Sequence, residues 1–284
     1  MPLRAFRIAY DGRPYFGFQR QPDVPTVEDA LLDALGDLGV LDGADPGPAC
    51  SRPSTDDGGD DVPPGYAAAG RTDAGVSALA QTVAFDAPDW LTPAAFNAEL
   101  PGTVRAWASA DVPADFHATH DATRRTYRYH LYGPTLDEGR VRAALDRLGG
   151  ESDFHNLTTD DDGTVRTLDT DCVRESDFLV LTLAAGGFAR HMVRRVVALV
   201  RAVGSGESDP DRVERVLGPE PLDGPAGVAT APATPLVLVD VSYPGVTFAV
   251  DPDAAESARD VFGERRVAAR TAARVVGDLY DGVE

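Results

Sequence analysis

Phe6, Ile8 and Tyr10 alternate with polar or small residues near the start of the chain, the period of a half-buried strand. Asp11-Gly12-Arg13-Pro14 ends that strand as a turn. Thr26-Val27-Glu28-Asp29 then opens a helix with a capping box whose acid is Asp, and Ala30, Leu31, Ala34, Leu35 and Leu38 lay an apolar stripe along it. Tyr66–Ala69 and Leu79–Phe85 read as two short strands. Thr92-Pro93 starts a short helix with Pro in the first helical position, and Val104–Ala108 gives one more strand. The order is β-α-β-β-α-β.

The same order returns after residue 111. Arg124–Tyr132 is a strand, and Val141, Ala144, Leu145 and Leu148 mark a helix. Val165–Val173 and Phe178–Ala184 form a hairpin, and a long helix runs from about Ala189 to Val203. A small helix near Pro210–Leu217 is inserted before the apolar strand Leu236–Tyr243. The expected fold class is α+β, with two ferredoxin-like halves at 1–110 and 111–245. Side by side they make one extended, mainly antiparallel sheet, with helices on one face and a central RNA-binding cleft, since four-stranded sheets with a free face recur as RNA platforms. Residues 41–65, rich in Asp, Gly, Pro and Ser, lack the apolar surface to offset ordering and read as a mobile insertion. The tail, 246–284, has helical patterning from 251 onward and mixed charge.

Charge changes the picture. The 284 residues carry 46 acids against 26 basic residues, a net of −20, and every basic residue is Arg. A net negative protein repels nucleic acid in dilute buffer. In very high salt, screening shortens charge interactions to a few ångströms, and only local arginine clusters then count. The acidic, lysine-free composition fits such a setting, and GC-rich coding bias toward Arg, Ala, Gly and Pro would act in the same direction. No apolar run approaches the roughly 20 residues of a membrane span, and no signal-peptide pattern precedes the first strand. Cys50 and Cys172 form no disulfide framework or metal-ligand spacing. A soluble, cytoplasmic protein without a membrane partner is expected.

Four segments carry candidate chemistry. In Gly70-Arg71-Thr72-Asp73-Ala74-Gly75 two glycines bracket an arginine and an aspartate between strands, which would present the Asp73 carboxylate at a tight connection. The ordinary reading is a turn in which Asp bonds its own backbone. Arg124-Arg125-Thr126-Tyr127-Arg128-Tyr129 interleaves arginines with tyrosines, the pattern of phosphate contact plus base stacking, although a core strand with Tyr inside and Arg outside fits as well. Arg190 and Arg194, four apart on the long helix, share a face that calls for an anion opposite, and Asp73 is a candidate. His117 and His120 are spaced for a metal, but no partner ligands follow.

Together these segments resemble the tRNA pseudouridine synthase A family. The matching pieces are Tyr10-Asp11-Gly12 with Gly17-Phe18-Gln19-Arg20-Gln21, the Gly70–Gly75 loop, Phe116-His117-Ala118, Arg125-Thr126-Tyr127-Arg128-Tyr129, Asp153-Phe154 and His191-Met192-Val193-Arg194. They occur in family order across residues 3 to 243. The resemblance implies a homodimer that binds the anticodon arm of tRNA, not DNA, and converts uridine to pseudouridine at positions 38, 39 and 40. It implies Asp73 as the catalytic aspartate and nucleophile, Tyr127 as the ring stacking on the target base, and Arg194 as the partner of the aspartate. Arg71, Arg125 and Arg190 are further substrate-binding candidates. Phe18 stands where the family usually has tryptophan, Ser77 where many members have histidine, and Pro235 in a segment usually carrying glycine. None of these changes removes a group the reaction needs.

The reaction is an isomerisation: the N1–C1′ bond breaks, the uracil turns, and C5 joins C1′. Neither redox change nor net hydrolysis occurs, so no cofactor and no metal is expected. An aspartate can attack the sugar or the base, or stabilise and deprotonate a sugar intermediate; the residues alone leave these open. A non-catalytic RNA-binding protein would not need Asp73 at a loop tip facing Arg194. A hydrolase using Asp73 should carry a second acid, a His partner or a metal set beside it. The composition also carries a prediction. Activity and thermal stability should both rise between about 0.1 and 3 M KCl, as screening removes self-repulsion and repulsion of RNA while direct arginine contacts persist. Melting curves and tRNA turnover across that range check it, and a maximum at the low end would separate the acidity from salt adaptation.

Overall fold

The computed structural model describes residues 1–41, 62–222 and 224–283. Most of the insertion read at 41–65, namely 42–61, lies outside the described residues.

Strand β1 (Leu3–Tyr10) leads through an aromatic loop to helix α1 (Val27–Asp37). Thr26 caps that helix: its hydroxyl oxygen accepts from the Asp29 N–H at 3.2 Å as the sequence pattern implies, while the Asp29 carboxylate accepts from the Thr26 hydroxyl at 2.6 Å rather than from the Thr26 N–H of a full capping box. The short strand β2 (Ala67–Ala68) and strand β3 (Ser77–Asp86) flank the Asp73 loop, followed by α2 (Pro93–Phe96) and β4 (Val104–Asp111). The second half runs β5 (Arg124–Tyr132), α3 (Glu138–Leu148), β6 (Gly150–Asp153), β7 (Val165–Glu175), β8 (Phe178–Ala185), α4 (Met192–Ser205), α5 (Arg212–Leu217) and β9 (Leu236–Ser242). A two-residue strand β10 (Ala249–Val250) and the long helix α6 (Pro252–Gly282) complete the chain.

The architecture is α+β around one large, mostly antiparallel sheet in the order β10-β4-β1-β3-β9-β5-β8-β7-β6, with β2 also on β3. Two cores form where each group of strands meets its helices. Phe6, Phe85 and Phe96 interlock in the first, with Phe6 stacked on Phe85 at 5.1 Å and Phe96 edge-on to both. Val193, Val196, Val197, Val200 and Val203 turn one face of α4 into the second, against Leu145, Leu181 and Leu183. The halves meet along a short seam, where β3 and β9 run parallel at Ser77 beside Val237 and Ala78 beside Leu238.

One expectation needs correcting. The face of β1 carrying Arg7 is covered rather than open. The Arg7 guanidinium is buried, donates to the Val241 carbonyl at 2.6 Å and to Thr82 Oγ1 at 3.0 Å, and lies 4.2 Å from the Phe248 ring centre. The segment after β9 brings Tyr243 and Phe248 there, and Tyr243 packs on Phe116 at 5.1 Å. A cation in the middle of an apolar strand needs such cover, because a buried guanidinium must find acceptors and ring faces in place of water.

Helix α6 packs only along its first part, where Ala254, Ala255 and Ala258 are buried. Its N-cap is Asp251, which accepts from the Ala254 N–H and also from the Ala94 N–H of α2. Farther along, Arg265 donates to Asp11 at 3.2 Å and to the Gly102 carbonyl at 3.3 Å. Asp11 also takes two bonds from Arg13, at 2.8 and 2.6 Å, and these hold its carboxyl below the usual carboxylate range.

Candidate active site

The Gly70–Gly75 loop is clamped before it reaches β3. Tyr10, at the end of β1, shares a 2.7 Å hydrogen bond with Thr72 Oγ1, and burial raises its phenol far above the usual range. Gln81 Nε2 donates to the Gly70 carbonyl at 2.6 Å. From the aromatic loop the Phe18 N–H donates to the Thr72 carbonyl at 3.0 Å, and the Gly75 N–H donates back to the Tyr15 carbonyl at 3.2 Å. Phe18 is buried whereas Phe16 is exposed, so this loop splits its aromatics between core and solvent. Two glycines permit the close approach. A Cβ on Gly12 would lie 1.9 Å from the Val76 carbonyl oxygen, and Gly17, at φ +111°, would bring one to 3.0 Å from the Thr72 carbonyl oxygen.

Asp73 leaves this clamp toward α4. Arg194 Nη1 donates to Asp73 Oδ2 at 2.8 Å, and Arg194 Nε donates to the Ala231 carbonyl at 2.8 Å. Two acceptors fix the plane of the guanidinium, so the carboxylate meets a donor of set direction. The two side chains are 28% and 18% exposed, sheltered yet reachable. His191 Nε2 stands 3.7 Å from the other carboxylate oxygen, so a histidine does lie beside Asp73, against the sequence expectation, and its presence alone does not separate a hydrolase from an isomerase. His191 sits at φ +61°, a left-handed geometry uncommon for a residue with a Cβ. In the sequence, His191 carries no site signal beyond its adjacency to Met192-Val193-Arg194 at a helix start.

Tyr127 projects from β5 and is partly buried. Phe188, which the sequence reading also passed over, meets its ring edge-on at 5.2 Å and 85°. Burial pushes the Tyr127 phenol up to about 12, countered in part by Arg125 and reinforced by the charge of Asp73. It is therefore neutral across ordinary assay pH.

The other arginines are placed differently. Arg125 is a brace: its Nε and Nη2 donate to the Ala69 carbonyl at 3.0 and 2.7 Å, Nη2 also reaches the Thr119 carbonyl at 2.7 Å, and Nη1 reaches the Gly186 carbonyl at 2.7 Å. It ties the residue before the Asp73 loop to two other segments. An open depression of about 450 Å³ beside this brace is lined by Val165, Arg166, Thr167, Gly186 and Gly187. Arg71 is exposed on the loop itself. Arg190 does not share a helix face with Arg194, because α4 begins at Met192 and the left-handed His191 breaks the helical path before it. Its backbone is held instead, with the N–H donating to Asp160 at 2.7 Å and the carbonyl accepting from Thr158 at 3.0 Å. Among the described residues no group of three or more His, Cys, Asp or Glu side chains could hold a metal ion, and no helix is long and apolar enough to cross a membrane.

A family profile described as tRNA pseudouridine synthase matches residues 144–244. Similarity to individual proteins extends much further. A tRNA pseudouridine synthase A of Haloarcula marismortui is 56% identical over 290 residues, covering 99% of this chain and all of the relative. The chain belongs to the tRNA pseudouridine synthase A family. A member from Natronomonas pharaonis is 57% identical, with 98% of each chain covered. One from Methanococcoides burtonii is 36% identical over 97% of this chain and 96% of its own.

The clamp makes a sharp prediction for this family member. Gly12→Ala must push the Val76–Ser77 backbone away, because the clash is with main chain rather than a flexible side chain. Overpacking of this kind costs about 1–3 kcal/mol. The melting temperature and the turnover should both fall; an unchanged melting curve with full turnover would mean that the turn at 11–14 gives way instead.

Proposed function

We propose that this enzyme isomerises uridine to pseudouridine in tRNA, at positions 38, 39 and 40 of the anticodon stem-loop, with Asp73 as its nucleophile. The observation that carries the reading is the 2.8 Å contact between Asp73, on a clamped loop of the first half, and Arg194, on a helix of the second. The fold is read as two ferredoxin-like halves facing a shared cleft. Strand orders β4-β1-β3-β2 and, leaving aside the short edge strand β6, β9-β5-β8-β7 support that reading, since each runs last, first, third, second.

In the proposed reaction the target nucleotide leaves its stack, at a cost of a few kcal/mol that contacts in the pocket offset. The Tyr127 ring receives the base, and its partner Phe188 limits how the ring can turn. The Asp73 carboxylate bonds to C1′ as the N1–C1′ bond breaks, and that ester bond breaks in turn when C5 attacks C1′; Arg194 holds the carboxylate in one orientation. The uracil turns, C5 bonds to C1′, the C5 proton is lost and N1 regains a proton. Atoms balance without any further reactant. Arg71, at the exposed edge of the loop, is assigned to the incoming backbone. Arg125 is assigned a supporting role, because its guanidinium contacts are to the protein, whereas Arg190, held by its backbone with an exposed side chain, is assigned with Arg71 to the incoming RNA.

Two expected outcomes test the assignment. Asp73→Asn should abolish pseudouridine formation on unmodified tRNA, mapped by site, while tRNA affinity stays within a few fold; retention of a tenth of the turnover would remove Asp73 as the essential group. The second concerns the ring. Tyr127→Leu should lower turnover by the equivalent of about 1–3 kcal/mol, the worth of one stacked base, whereas Tyr127→Phe should be nearly silent. Equal, large losses in both variants would assign the chemistry to the hydroxyl instead.

A further inference from the structure

Helix α6 crosses the edge of the sheet, is fastened by Arg265 to Asp11, and then runs on without packing. The fastening point lies at the active-site end of the molecule: Asp11 precedes Gly12, whose N–H donates to Ser77 Oγ at 3.0 Å at the start of β3, just after the Asp73 loop. Beyond Arg265, α6 continues to Gly282, and at 1.5 Å per residue it reaches about 25 Å past its last anchor. Nearly every residue of this projection is exposed.

Its charge opposes the chain's net acidity, as does that of 178–206, which also has four arginines and no acid. From Arg265 to Gly277 there are four arginines and no acid, between Glu264 and Asp278, in a protein with 46 acids. Arg266, Arg270 and Arg274 recur every fourth residue and so form one stripe, about 6 Å apart along the axis. All three are exposed, and no ion pair within 4 Å reaches them among the described residues. Like charges at this spacing repel one another on an isolated helix; Asp278, four residues past Arg274, continues the line, and an anion across the stripe relieves the rest.

We propose that the projecting half of α6 is a second RNA-binding site, which grips the phosphate backbone of the tRNA outside the stem-loop that enters the cleft. This rests on the reading of tRNA as substrate. Charge complementarity selects the occupant: a polyanion matches a row of unpaired guanidiniums, and the substrate is the polyanion that must approach this end. Three arginines in a row along one helix face, with no Asn or Gln among them, assign the arm chiefly to phosphate contact, hence to affinity and orientation. A protein partner would instead cover the adjacent apolar face, where exposed Val276, Leu279 and Tyr280 continue the line of Ala254 and Ala258.

The test compares wild type with the combined variant Arg266→Gln, Arg270→Gln and Arg274→Gln, which keeps helix-forming residues at each site. Two unmodified RNAs serve as probes, a full-length tRNA transcript and a short stem-loop containing the target uridine. For the transcript, affinity should fall at least about tenfold and the slope of log K against log salt should shrink by about 2–3, one phosphate contact per arginine. Stem-loop binding and turnover at saturating RNA should not change, and Arg→Lys at the three positions should restore most of the transcript affinity. Unchanged transcript binding overturns the proposal. So does a variant that binds RNA normally but loses self-association in sedimentation, which would make the arm a contact between copies. Pseudouridine formation by the wild type is scored separately, so failure of the activity reading and failure of the arm are distinguishable.

Discussion

Everything at the candidate site depends on two residue pairs, Ser77 beside Val237 and Ala78 beside Leu238, where β3 and β9 run parallel. They are the seam between the halves. Because β9 also pairs with β5, the seam fixes where the Asp73 loop, one residue upstream of Val76, stands relative to Tyr127 and to α4. Arg194 could not meet a carboxylate 121 positions earlier in the chain if the halves were free to slide. The seam is short, so it needs support from both sides. Gly12 closes on Val76 from β1, and Gly75, at φ +82°, lies against Thr234 and Ala233 before β9. A small contact thus acts as the datum from which the larger distances are set.

Much of this was legible in the sequence, for reasons that differ by element. Strand β5 and the helices α1 and α3 follow from period alone, because each buries one face against a core, whereas β1 and β8 are buried on both faces. The Thr26 cap was legible because its chemistry is local. The position of α4's first turn was not: Ala189 and Arg190 have ordinary helix-forming character, and only the left-handed turn at His191 excludes them. Arg125 illustrates the other limit. Its pattern with Tyr127 suggested contact with RNA, yet its acceptors are the carbonyls of Ala69, Thr119 and Gly186, groups that every residue possesses and no sequence pattern marks. The same applies to Arg7, which reads as an exposed strand position until Phe248 arrives from the far end of the chain.

The arginine-only composition acquires a structural sense from these contacts. Arg7, Arg125, Arg174 and Arg194 each bind two or more acceptors, most of them carbonyls. A planar fork can satisfy several fixed oxygens at once, which a compact ammonium does less well. Contacts of this kind act at hydrogen-bonding distance and are the least sensitive to screening. Several exposed acids are also held by single arginines at the surface, among them Asp111 by Arg4 and Glu214 by Arg147.

The strap after β9 bears on the order of synthesis. The first half is built from residues before 112, yet the free edge of β3 is covered by β9, and that of β4 by β10 and α6. Those covering strands emerge from the ribosome about 125 residues after β4. At roughly 5–20 residues per second, the nascent first half carries two open sheet edges for of order ten seconds. Open edges template pairing with other chains. The short β2, already paired with β3, thus guards part of one edge in the half-built protein as well as in the finished one.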